Sequence, residues 1–310
     1  MKINVRKTLC LSVFTLLLTQ SYSAGAAVEN YADDFSNSQY SMGTEKKLCG
    51  FSVRYPDGLG SIRQSRYQNF LSRFSDDMSD WSRGKFGYDR VLTARQSVMP
   101  DNSKQPKSTL IRRAKSGGGL GSCDLNVIKG AFSGSNAPSR SQANCAGSGL
   151  ASYCLRHEAG HTWGLAHDST FDADTCSRDK GLSQMSGYRN GFNIPHLHWL
   201  GWVEENEVKQ LQWTDIGEKD YVYGEHWISI RPLSVSSPSD EGEHPYGLVV
   251  DLRRSGNRLW LASNREEGLK APGEVGYSKK EDALLGIISP PFETQDFDSP
   301  NRWKGTGIYR

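Results

Sequence analysis

The stretch that most constrains this chain is 157–167, which reads HEAGHTWGLAH. His157 and His161 are four residues apart, so on a helix both imidazoles leave the same face. Gly164 allows a sharp backbone turn that brings His167 back as a third nitrogen donor. Three neutral imidazoles at this spacing predict a zinc site.

Glu158 follows the first histidine and gives this site a chemical role. On a helix its side chain projects about 100° away from that of His157, toward a water at the metal rather than toward the metal. The alternative is an ordinary amphipathic helix with core histidines. That alternative does not explain why three of the seven histidines lie within eleven residues. The pattern therefore predicts a metal-dependent hydrolase with Glu158 as general base.

The spacing HExxHxxGxxH resembles the zinc signature of the metzincin metallopeptidases, and QMSGY at 184–188 resembles their methionine turn. The resemblance implies that the three histidines bind Zn²⁺, that Glu158 is the general base and that Met185 forms a hydrophobic floor. Astacins and serralysins place a zinc-binding tyrosine two residues after the methionine, whereas Tyr188 comes three after it. We therefore expect Tyr188 to shape a substrate pocket, with a role as ligand or oxyanion donor as the alternative.

Other segments resemble the gametolysin-like branch of the metzincins. These are FSVRY before a long helix that ends in WSRGKFGY, the run PHLHWLGWV, and the strand-like LWLASNREEG. The resemblance covers roughly 48–270 and implies an α+β fold. Its catalytic domain would have two lobes, with a twisted mixed sheet, helices and a horizontal substrate cleft.

Hydrophobic periodicity predicts the elements ahead of and around the zinc motif. Apolar residues at helical spacing predict a helix from Ser61 to Trp81, with Ser61 and Gln64 as a capping box and Gly84 past its end. The other expected elements are strands at 51–55, 86–98 and 125–132, a helix at 107–115, and the zinc helix at about 149–164.

The later chain changes character after the zinc motif. Pro195 is expected to open a short helix, in which His196 and His198 are predicted to pack or lie at a rim, with metal ligation as the alternative. Strand-like runs follow: WISIRPLS, YGLVVDLRR, RLWLASNR and LLGIIS. We therefore expect a catalytic domain at 48–207 and a small β-rich domain at 208–310. Asp172, Asp174 and Asp179 predict a solvated acidic loop, with a calcium loop as the alternative.

The first residues have the pattern of a secretory signal, with Lys2, Arg6 and Lys7 before an apolar run and cleavage expected after Ala26. A short leader, 27–47, is expected to follow. The formal net charge is +2, and loss of the signal removes three cations and no acid, so the mature chain is near neutral. This charge predicts no nucleic-acid partner, and no other segment is apolar enough to be an integral membrane segment. The predicted location is secreted or periplasmic.

Five cysteines remain after the signal. In an oxidising compartment we expect two disulfides, among the four that cluster around the zinc motif: Cys123, Cys145, Cys154 and Cys176. Their connectivity is not fixed by sequence. Cys49 is expected to be buried in a strand or to form a disulfide, with a metal-blocking cysteine switch as the alternative.

Together these patterns predict a secreted zinc endopeptidase that hydrolyses protein or peptide substrates outside the cell. The alternative is a catalytically inactive zinc-containing adhesin or carbohydrate-binding protein on the same fold. Loss of activity usually leaves a broken motif, and here every catalytic position is filled. Cleavage preference and oligomeric state do not follow from the sequence.

Overall fold

The chain divides into two compact units. A computed structural model of the protein describes residues 46–150, 152–165, 167, 169–172, 177–179, 184–186, 192–204, 207–211, 247–252, 257–264, 283–289 and 307–309. Described residues up to Leu165 belong to the first unit and those from His167 onward to the second. Within these ranges no helix combines the length and the apolar character needed to cross a membrane.

The first unit combines helices with one mixed sheet. Its described elements are β1 (Lys47–Arg54), α1 (Gln64–Trp81), β2 (Arg90–Thr93), β3 (Ser97–Val98), α2 (Lys107–Lys115), β4 (Leu125–Gly130), β5 (Asn136–Ser139), β6 (Gln142–Ala146) and α3 (Ser152–Thr162). The sheet order is β2-β1-β4-β6-β5, and β3 also pairs with β1. Only β5 pairs antiparallel among these described strands. The expected alternation of strands and helices ahead of the zinc helix is therefore present.

The side chains of β1 alternate between two covered faces of the sheet. Cys49, Phe51 and Val53 join a buried cluster that includes Leu110 of α2. Gly50 points to the other face, where α1 approaches. Burial on both faces is the pattern expected of a strand within a parallel sheet. α1 and α2 therefore lie on opposite faces of this sheet.

α1 confirms the predicted amphipathic helix but begins later than expected. The capping box is wrong, because the N-cap is Arg63 and it makes no side-chain cap bond. Ser61 instead belongs to a preceding turn, in which its backbone N donates to the carbonyl of Gly58 at 2.9 Å. Gly84 follows the helix with a φ of 77°, as its place past the end predicts.

The pairing of Cys49 differs from the expected grouping of cysteines. Cys49 forms a disulfide with Cys123, so the prediction that Cys123 pairs within the group around the zinc motif is wrong. The reason is strand register: β1 and β4 are parallel with Cys49 opposite Asn126, which brings the residues just before β4 beside Cys49. A bonded sulfur also excludes the cysteine-switch alternative for Cys49. Cys176 lies outside the described residues.

The second unit contains a separate sheet and a short helix. Its described elements are β7 (Ser169–Asp172), β8 (Ser177–Asp179), a 3₁₀ turn (Gln184–Ser186), α4 (Ile194–Trp199), β9 (Val208–Leu211), β10 (Gly247–Leu252), β11 (Asn257–Asn264), β12 (Ala283–Ser289) and β13 (Gly307–Tyr309). The sheet order is β8-β7-β13-β12-β11-β10-β9. The runs predicted as strands near 247, 258 and 284 are strands. The run WISIRPLS lies outside the described residues.

We predict that Gly50→Ala destabilises the first unit. A Cβ at this position would lie 2.9 Å from a ring carbon of Tyr67 and still closer to the side chain of Leu71. We expect the free energy of unfolding in urea to fall by about 1–3 kcal/mol, as for other insertions into a packed core. Gly119→Ala is the matched control, since a Cβ there meets no atom within 4 Å. Equal losses for the two variants would contradict this packing.

Candidate metal centre

α3 carries the first two predicted ligands and is fixed to its surroundings by covalent and aromatic contacts. The disulfide Cys145–Cys154 joins its first turn to β6. This pair lies within the cysteine group predicted around the zinc motif. Just past the helix, the Trp163 ring stacks on that of Phe74 in α1, with centroids 6.4 Å apart. The helix is thereby held against both the sheet and α1.

Arg156, immediately before the first predicted ligand, forms a buried ion pair with Asp77 of α1. Its Nε and Nη2 donate to Oδ2 of Asp77 at 3.1 and 2.5 Å. The guanidinium also lies 5.1 Å from the ring centroid of Trp81. Arg156 is 2% exposed and Asp77 7% exposed, so removal of one partner would take a charge-assisted contact away from a buried charge. The pair therefore fixes α3 on α1 directly beside His157.

Gly164 ends α3 in the left-handed conformation, with a φ of 91°. The backbone N of Leu165 donates to the carbonyl of Gly160, and that of Gly164 to the carbonyl of His161, both at 3.0 Å. These two bonds form a Schellman motif, which favours glycine because a Cβ is strained at positive φ. The predicted sharp turn at Gly164 is therefore present.

The turn also orients the second histidine. His161 is 6% exposed, and its Nδ1 lies 2.8 Å from the carbonyl oxygen of Leu165. Because a carbonyl can only accept, Nδ1 carries the hydrogen and Nε2 presents its lone pair. This is the tautomer that coordination through Nε2 would require. The end of the helix thus leaves Nε2 of His161 able to accept.

The three predicted ligands come together in the structure. One nitrogen each of His157, His161 and His167 lies within 4.8 Å of the others. The Nε2 atoms of His157 and His161 are 3.1 Å apart. A tetrahedral site with normal Zn–N bonds separates its nitrogens by about 3.3 Å, so this pair fits zinc closely. The group can hold a metal ion, and its all-imidazole chemistry suits Zn²⁺.

Glu158 lies on the same helix and is 6% exposed. Burial raises the pKa of its carboxyl to about 7, and the charge of Lys107 opposes that rise. Among the described residues, Oε2 of Glu158 has no hydrogen-bond partner. A buried carboxylate oxygen without a partner is costly unless something outside the chain satisfies it. Glu158 can therefore accept a proton from a bound water.

The remaining predicted site residues have different outcomes. Met185 is fully buried within the 3₁₀ turn of the second unit, and its place beneath a metal stays a prediction. Tyr188 and Asp174 lie outside the described residues.

His196 and His198 lie in α4. His196 is fully buried, and burial lowers its pKa to about 3, so the imidazole is neutral. The ring of His198 lies 5.4 Å from that of Trp260, and its Nδ1 is 3.2 Å from the carbonyl of Val203. Neither histidine belongs to a metal-binding group of the described residues.

Three features of the site were not predicted from the sequence. They are the Asp77–Arg156 pair, the carbonyl of Leu165 and the cation Lys107. Asp77 and Arg156 are 79 residues apart, so no local pattern connects them. The Leu165 carbonyl gives no signal in the sequence, because every residue has a backbone carbonyl. Only the geometry of the turn decides which carbonyl faces His161. Lys107 was expected only as the start of a helix.

Comparisons with known proteins add little to this geometry. The sequence matches no known protein-family model and no curated protein. Among solved structures, the chain is similar to archaemetzincin from Methanopyrus kandleri, with 17% identity and a TM-score of 0.33. That likeness covers 51% of this chain and 95% of the other. A likeness at this level assigns neither fold nor activity.

We predict that Asp77→Asn weakens folding far more than loss of an exposed acid does. The change removes the Asp77 charge that contacts the buried Arg156 guanidinium, and we expect a loss of about 3–5 kcal/mol in unfolding free energy. Asp76→Asn, at the exposed neighbouring position, should change stability by less than about 0.5 kcal/mol. The double variant Asp77→Leu/Arg156→Met should recover much of the loss, since it buries no charge. Failure of the double variant to exceed Asp77→Asn would contradict this assignment.

We also predict that Gly164→Ala weakens metal binding. Strain at positive φ should displace the Leu165 carbonyl and lower zinc affinity by about 10–100-fold, as for other losses of a partner behind a ligand. Zinc affinity is measured by competition with a chromophoric chelator. Gly84→Ala is the control, because Gly84 also has a positive φ after a helix but lies at α1. If both variants bound zinc like the parent chain, the Leu165 carbonyl would not orient His161.

Proposed function

We propose that this chain is a zinc-dependent endopeptidase of the metzincin type. His157, His161 and His167 would hold the zinc, and Glu158 would be the general base. The observation that carries this proposal is the convergence of three imidazole nitrogens beside a buried glutamate whose Oε2 has no partner among the described residues. That combination supplies both a metal site and a base.

The residues present divide the chemistry between them. Zinc held by the three histidines would supply a Lewis acid that lowers the pKa of water and polarises a carbonyl group. Glu158 would accept the proton of the attacking water and then deliver it to the leaving amine. Leu165 would keep His161 in the tautomer that leaves Nε2 free for coordination. The reaction needs no serine or cysteine nucleophile.

The proposal also covers the location, the substrates and the domain bounds of the protein. We propose that 1–26 is a signal peptide, that the protein is secreted or periplasmic, and that its substrates are extracellular proteins. Both disulfides support an oxidising compartment. A catalytic domain at 48–207, a β-rich domain at 208–310 and the gametolysin-like branch belong to the same proposal. Met185 as a floor and Tyr188 in a substrate pocket are its remaining site assignments.

We predict that Glu158→Gln separates metal binding from hydrolysis. The amide cannot accept the proton of water, so turnover of casein should fall by at least about 10²–10⁴-fold while zinc content is unchanged. His161→Ala should lose zinc and activity together, because two imidazoles hold zinc far more weakly. Met185→Leu keeps volume and apolar character and should cost much less than either. Zinc is measured by elemental analysis and turnover by release of new amino termini.

Two results would count against this function. Near-normal turnover by Glu158→Gln would remove Glu158 from the mechanism. A parent chain that binds zinc and releases no new amino termini from casein or a peptide library would instead be the inactive binding protein that was the alternative prediction.

A further inference from the structure

A groove of about 610 Å³ lies in the first unit between α2 and the strands β5 and β6. Its lining includes three cations, Lys107, Arg112 and Lys115, and the apolar residues Ile111 and Pro138. None of the described residues that line it is acidic. The groove thus combines positive charge with apolar contact surface.

A chain of hydrogen bonds along the groove holds two of the cations in place. Lys115 Nζ donates to Oε1 of Gln142 at 2.5 Å, and Gln142 Nε2 donates to Oδ1 of Asn144 at 2.8 Å. Asn144 Nδ2 donates to Oδ1 of Asn136 at 3.0 Å, and Lys107 Nζ donates to the same oxygen. Gln142 and Asn144 are buried. Both ammonium groups are therefore positioned by neutral acceptors, which leave their charge available to an anion.

The position of Lys107 is not explained by helix stability. Cations are favourable near the C-terminal end of a helix, which accounts for Arg112 and Lys115 in the last turns of α2. Lys107 is the first residue of α2, where the helix dipole disfavours a cation. Its Nζ nevertheless donates to the carbonyl of Gly134 at 2.6 Å. The position of Lys107 is therefore set by tertiary contacts at this end of the groove.

The spacing along α2 defines the kind of ligand that fits. Lys107, Ile111 and Lys115 follow one another at intervals of four residues, so they lie along one face of the helix. The two lysines are separated by about 12 Å of helix axis. In an extended chain, the first and fifth of five residues present their side chains on the same side about 13 Å apart, with the third between them. Acidic residues at the ends and an apolar residue in the middle would match this face.

We propose that the groove binds an extended, acidic segment of polypeptide with the pattern acidic-x-apolar-x-acidic. Identification of that segment as part of the substrate rests on the proposed peptidase function. A nucleic acid is a poorer match, because the chain as a whole carries a formal charge of only +2 and has no strong field for a polyanion. Ile111 and Pro138 also match an apolar side chain and have no counterpart in a phosphate backbone.

The test measures binding directly on the full-length, zinc-loaded Glu158→Gln variant, so that the probe is not cleaved. The probes are fluorescein-labelled Asp-Ser-Leu-Ser-Asp and its neutral counterpart Asn-Ser-Leu-Ser-Asn, with anisotropy as the readout at low salt. We expect the acidic peptide to bind about 10-fold more tightly, and Lys107→Gln/Lys115→Gln to abolish that difference. Arg113→Gln is the matched control: it removes one charge from the same helix, but Arg113 lies outside the groove and donates to the carbonyl of Val98 at 3.0 Å.

Several outcomes would overturn the proposal. One is equal affinity of the Glu158→Gln variant for the acidic and neutral peptides. This comparison does not depend on whether the double lysine variant folds. An equal loss of binding in Arg113→Gln would show a general charge effect rather than a groove. A labelled oligothymidylate that bound more tightly than the peptide, through the same two lysines, would assign the groove to nucleic acid.

The experiments test the peptidase proposal and the peptide-binding groove independently, so either one can be refuted while the other stands. Preference for the acidic peptide without casein turnover by the parent chain would refute the peptidase and retain the groove. Casein turnover with no peptide preference would refute the groove and retain the peptidase.

Discussion

The hydrogen bond from His161 Nδ1 to the Leu165 carbonyl connects the end of a helix to the candidate metal centre. It exists because α3 stops at Gly164 in a conformation that favours glycine, which turns the next carbonyl back toward the helix. The same turn leads the chain to His167. The turn at Gly164 thus sets the tautomer of His161 and directs the chain toward His167, the third predicted ligand.

The sheet of the first unit and the helix α1 hold α3 in place. β1 is covered on both faces, by α1 on one and α2 on the other. On the α1 side, the Asp77–Arg156 pair and the Cys145–Cys154 disulfide hold α3. On the α2 side, the amide chain that includes Gln142 and Asn144 orders the cationic groove. Asn144 and Cys145, neighbours in β6, therefore make contacts on opposite faces of the sheet, since side chains alternate along a strand.

Much of the fold followed from short-range pattern. The apolar spacing of Tyr67, Phe70, Leu71 and Phe74 predicted α1, and the helix predicted at 107–115 has those bounds in the structure. Errors arose where a longer-range contact decided the outcome. The predicted capping-box residue Ser61 lies in an earlier turn, and Cys123 pairs with Cys49 through the register of β1 and β4.

By itself, the sequence determined the donor set of the candidate site, because the spacing of His157, His161, Gly164 and His167 acts within about three turns of backbone. Tertiary structure alone decided what surrounds those donors. The Arg156 partner lies 79 residues away, and the ammonium of Lys107 reaches Asn136 across the sheet edge, 29 residues along the chain. Such pairs depend on strand order and on helix packing, which no local periodicity specifies.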